Sequence, residues 1–92
     1  QPDTVLAGAI TLVAPVIPDV TTARRGGNDG TIVVPDTLKD SKGGTVKVTS
    51  VIKDAQGKVE TNGHLAPGVH LVTFSADGYQ DVTSGVSVTD HS

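Results

Sequence analysis

The chain has 92 residues, a formal net charge of −3, 36% hydrophobic residues and no Cys, Met or Trp. That length fits one domain, and the missing cysteines exclude a disulfide framework or a thiolate metal site. Seven basic against ten acidic residues exclude the electropositive footprint of a nucleic-acid or anionic-membrane binder. With one Phe and one Tyr, aliphatic side chains must fill a core that withdraws about 60–65% of the unfolded surface from water.

Val and Thr together exceed a quarter of the residues. β-Branched side chains lose rotamer freedom in helices and suit pleated surfaces, and no stretch keeps a helical apolar repeat over three turns, so the chain is predicted to be all-β. Gln1 reads as a processed or internal start. The first apolar run, Thr4–Val13, is about half the length that spans a bilayer and lacks a basic secretory n-region. Ala14–Asp19 contains Pro15 and Pro18, which cannot donate to a central ladder, and is predicted as an edge or linker. Residues 1–18 are therefore expected to form an N-terminal strand or arm with a Pro-rich linker, and residues 19–92 the folded domain. That arm would either pair as the first strand or extend onto a neighbouring subunit.

Thr21–Gly30 (TTARRGGNDG) is the clearest loop, because Asn, Asp and Gly tolerate turn conformations. Thr31–Val34 is predicted as a short strand ended by Pro35, and Asp36–Gly44 as a polar loop. Thr45–Lys53 alternates, with Val46, Val48, Ser50 and Ile52 on the predicted core face and Lys47 and Lys53 on the other. Asp54–Gly57 turns the chain into Lys58–Thr61 as a hairpin. Val69–Ala76 carries the sharpest alternation, with His70, Val72, Phe74 and Ala76 on one face. After Asp77-Gly78, Tyr79–Thr83 and Gly85–Thr89 complete the set. Short strands separated by frequent turn signals predict an immunoglobulin-like (Greek-key) β-sandwich of about seven strands.

Leu65–Tyr79 (LAPGVHLVTFSADGY) and Gly85–Thr89 (GVSVT) resemble carboxypeptidase-regulatory-like and related bacterial immunoglobulin-like domains. The likeness covers roughly Thr45–Thr89. It sets His70 where that family often has an inward Tyr, and Val72 and Phe74 at aliphatic core positions. The earlier stretch APVIPDVTTARRGGNDGTIVVPD is similar to the opening of immunoglobulin-like domains appended to bacteriophage capsid and tail proteins and to bacterial surface proteins. The resemblance implies a noncatalytic module on a virion surface or outside the cell, bound to a capsid, tail or surface assembly.

No residue set contradicts that expectation. His64, His70 and His91 would have to converge from a loop, a strand and a tail to hold zinc. Glu60 is the sole Glu, which leaves nine Asp and no recognisable paired-carboxylate motif. The serines lack a nucleophile elbow, and the C-terminal Tyr-Arg-Gly-Ser signature of transthyretin-like hydrolases is missing. No Asp run follows a calcium-loop pattern, and Lys47 lies on the wrong face for an intramolecular isopeptide. No cofactor, metal, nucleic acid or membrane insertion is expected. Arg24, Arg25, Gly26 and Gly27 are the candidate partner-contact loop, since a phosphate cradle would need a following helix that the sequence does not predict. The alternative function is weak carbohydrate or cell-surface binding, with Tyr79 as the candidate glycan contact.

Overall fold

The computed structural model describes residues 10–91. Seven strands run in chain order: β1 (Val20–Thr21), β2 (Thr37–Lys39), β3 (Thr45–Lys47), β4 (Thr49–Lys53), β5 (Val59–Glu60), β6 (Gly68–Ser75) and β7 (Val82–Thr89). Five form one sheet in the order β1-β7-β6-β4-β5, and β2 pairs with β3 in a second. All pairings are antiparallel except β1 on β7, where Val20 faces Val88 and Thr21 faces Thr89. This is the predicted immunoglobulin-like β-sandwich.

Register explains the core. Paired residues share a face, so Ile52, Val72 and Ser84 line one inward row and Phe74 and Val82 another, with His70 beside Val86. Onto this face pack Leu12, Ile17, Ile32, Leu38, Val48 and Leu65, all buried and all from outside the strands of the large sheet, with Val48 at the break between β3 and β4. Phe74, Val72 and Leu65 are fully enclosed. The polar groups admitted to this interior are all used: Ser84 is buried and its hydroxyl donates to the Pro15 carbonyl at 2.8 Å. Among the described residues no buried side-chain nitrogen or oxygen lacks a hydrogen-bond partner, as close-packed interiors require.

Several predicted boundaries change. Thr45–Lys53 is not one strand: it breaks at Val48, whose N–H donates to the Asp36 carbonyl, and its halves join different sheets. The predicted polar loop Asp36–Gly44 contains β2, with Leu38 buried opposite Val46. Thr31–Val34 forms no ladder; the chain crosses between layers there, and the Asn62 side chain supplies the missing partner, accepting from Ile32 N–H and donating to Ile32 C=O, each at 2.8 Å. Ser50, assigned to the core face, is exposed at the open flank of β4. Tyr79–Thr83 and Gly85–Thr89 merge into the single strand β7, with Tyr79–Asp81 left in the turn. β1 begins at Val20, directly after the predicted linker, and takes the first residue of the predicted loop. Within the N-terminal apolar run, residues 4–9 lie outside the described residues. Leu12 bridges Asp40, and Val13 N–H donates to Lys39 C=O.

Candidate interaction surface

The loop after β1 is built from short polar bonds. Thr22 is buried; its hydroxyl donates to the Arg24 carbonyl at 2.8 Å and accepts from His91 N–H at 3.1 Å. Asp29 accepts from Ala23 N–H at 3.1 Å and pairs with the Arg24 guanidinium at 3.4 Å. Gly26, with φ +68°, donates its N–H to the Asp90 carboxylate, and Gly27 N–H donates to Arg24 C=O. A left-handed conformation at Gly26 is one that side-chain-bearing residues rarely adopt. The carboxylates of Asp29 and Asp90 thus occupy amides that an anion would otherwise use. The loop is a tied platform displaying two guanidiniums, Arg24 paired with Asp29 and exposed Arg25 in no ion pair among the described residues.

The three histidines stay apart in role. His64 and His91 are exposed, while His70 lies 4% exposed in the core face. Among the described residues no cluster of three or more His, Asp or Glu could hold a metal ion. The His70 Nε2 donates to the Ala66 carbonyl at 2.7 Å, and Nδ1 contacts the Glu60 carboxylate. Sequence reasoning did not single out Glu60 as a partner of His70. Its signal was present in the hairpin register, which sets Glu60 opposite inward-facing Ile52 and therefore on the same face as His70.

The outward face of the large sheet has a different character. Register sets Val59, Lys53, Leu71 and Gly85 in one row, Val51, Thr73 and Thr83 in the next, and Val69 beside Ser87. Val51, Val59 and Val69 are exposed, and Leu71 is half-buried. Lys53 is the one charged residue in these rows, so β4, β6 and β7 present a Val- and Thr-rich plane. Tyr79 is placed otherwise: its ring packs against the core and its hydroxyl donates to Asp40 at 3.5 Å. Two open grooves flank β4, and each is lined by one carboxylate, Asp77 in one and Glu60 in the other.

Sheet order, parallel β1 edge and aliphatic interior define a small immunoglobulin-like module whose buried polar side chains, among the described residues, are all bonded internally. Comparison narrows this further: the family model for the phage tail tube protein C-terminal domain matches residues 11–92, and the chain belongs to that family. It is 88% identical over all 92 residues to tail tube proteins of Lactococcus phages F4-1 and p2, and 86% identical to that of Lactococcus phage SK1. In each case it spans 31% of the relative's length. No solved structure matches the chain. A phage tail is part of the extracellular virion, which agrees with the location the resemblance implied, and the relatives are tail rather than capsid proteins.

Proposed function

We propose that this chain is an immunoglobulin-like module appended to a phage tail tube, joined to a tube-building part of the same polypeptide and acting by contact rather than catalysis. The carrying observation is the 88% identity to tail tube proteins across every residue of the chain, which accounts for only 31% of their length. That proportion leaves room for a separate wall-forming region. The described residues suit such a role, since buried His70 and the carboxylates of Glu60, Asp29, Asp40 and Asp90 are used in internal bonds, and the accessible features include a Val/Thr sheet face and a tied loop. In this reading Arg24, Arg25, Gly26 and Gly27 contact a protein partner, and residues 1–18 lead into the module, with Leu12 and Ile17 anchoring that segment in the core. The glycan alternative draws no support from Tyr79, whose ring is engaged with the core.

The test is assembly of the full-length protein with and without this chain, followed by electron microscopy of the products. Tubes of unchanged inner diameter that lose only peripheral density are the expected result. Failure of the shortened protein to form any tube would mean that this chain builds the wall, and the appended-module reading would fall.

A further inference from the structure

The chain has two asparagines, Asn28 and Asn62, and Asn62 is followed by Gly63. A glycine at that position leaves its backbone nitrogen unhindered by a Cβ, and Asn is among the chemically labile residue types. In this fold the Asn62 residue is exposed, but both polar atoms of its amide are held by hydrogen bonds and the following N–H is engaged. Asn62 Oδ1 accepts from Ile32 N–H at 2.8 Å and Nδ2 donates to Ile32 C=O at 2.8 Å. Gly63 N–H, the group that would have to attack, is shared between Gly30 C=O and Asn62 Oδ1, each at 3.1 Å. Gly30 itself bridges Leu65, and Ile32 and Leu65 are at most 1% exposed.

We infer that Asn62 is a latent deamidation site, closed in the native fold and opened only when the Ile32 crossing leaves the core. The step balances simply. The Gly63 nitrogen gives up its proton to solvent and bonds to Asn62 Cγ; the Cγ–Nδ2 bond breaks and nitrogen departs as ammonia. Water then opens the resulting cyclic imide at either carbonyl, giving Asp or its β-linked isomer. Neither product can restore the lock. The donor that met Ile32 C=O is replaced by a carboxylate oxygen aimed at a carbonyl oxygen, and two acceptors repel where a hydrogen bond stood. The β-linked product also lengthens the backbone between β5 and the Gly30–Leu65 bridge. A transient opening thereby becomes a permanent loss of the tie on Ile32, a segment with no ladder of its own to hold it.

The test uses the intact protein incubated in mildly alkaline buffer, native or in strong urea, with peptide mapping by mass spectrometry that separates Asn, Asp and isoAsp. Asn28, exposed and followed by Asp29, is the internal reference. In urea Asn62 should convert well ahead of Asn28. In the native protein Asn62 should slow by about tenfold or more, because reaction then tracks the open population. Equal Asn62 rates in the native and urea-treated protein would overturn the inference, as would Asn62 converting no faster than Asn28 in urea. After refolding, the converted fraction should be cleaved faster than unmodified chain by a protease acting near Ile32–Val34. Equal cleavage would show that Asn62 does not secure that segment.

Discussion

The Glu60–His70 contact gives the sharpest energetic test, because its two ends differ in access to water. His70 is 4% exposed, whereas the Glu60 side chain is 21% exposed at the edge of the sheet. Glu60→Ala leaves the buried His70 Nδ1 without its partner, so it should cost about 2 kcal/mol, the range for leaving a buried polar group unmet. His70→Phe leaves Glu60 free to turn outward, and mainly deprives the Ala66 carbonyl of its donor, a cost of about 1 kcal/mol. In the double variant the carboxylate removal has nothing left to harm, so its loss should stay near that of His70→Phe alone. The implied coupling is about 1–2 kcal/mol. For a chain this size each kcal/mol moves the melting temperature by about 5 °C. Circular-dichroism melts of the four proteins should therefore show drops of about 10 °C, 5 °C and 5 °C for Glu60→Ala, His70→Phe and the double variant. Additive losses, with the double variant lowest by the full sum, would refute the claim that the two side chains act as a unit.

Phe74→Ala empties the largest fully buried side-chain volume and should cost about 3–5 kcal/mol, read as a fall in the urea midpoint without a change in slope. Gly30→Ala should destabilise by about 2 kcal/mol or more, since its Cβ would stand 2.8 Å from both the Leu65 carbonyl oxygen and Val88 Cγ1. Gly85→Ala should instead stabilise by about 0.5 kcal/mol, because a Cβ there meets only Leu71 Cδ2 at 3.9 Å; opposite shifts in melting temperature check the pair. Val51→Lys with Val69→Lys on the outward sheet face should change stability by no more than about 0.5 kcal/mol each, yet reduce association of the module with assembled tails in co-sedimentation.

What could be read from the sequence depended on whether a pattern was local. β6 was legible because His70, Val72 and Phe74 alternate with polar or outward residues over its length. β2 was not, since Leu38 is a single apolar residue between Thr37 and Lys39 and its strand is made by pairing with β3. Thr31–Val34 erred the other way: its β-branched run has strand propensity but no neighbouring strand to complete a ladder. The break at Val48 could not show in the alternation. Val46, Val48 and Ile52 face the same sandwich interior although the chain changes sheet between them, and parity records the face, not the sheet. At the candidate site, turn chemistry located the Arg24–Gly27 loop, but the Asp90 carboxylate that fixes Gly26 comes from 64 residues away. The Glu60–His70 contact lies between these cases, since it followed from the register of a hairpin that local signals had already defined.

The two layers satisfy their backbones by different means, and this bears on which surface can take a load. The five-stranded sheet closes its own ladders from β1 to β5. The opposing layer has a two-stranded ladder, the isolated bridges Leu12–Asp40 and Gly30–Leu65, and side-chain attachments: the Asn62 amide on Ile32, the Ser84 hydroxyl on Pro15, and the Asp40 carboxylate on Lys42 and Gly44. Loss of one such attachment leaves a segment held only by isolated bridges, whereas loss of one ladder bond leaves its neighbours in place, so local opening should begin in the opposing layer. An assembly contact on the Val51, Val69 and Leu71 face would therefore bear on the more cooperative element. The opposing layer could then loosen without releasing the module from its partner.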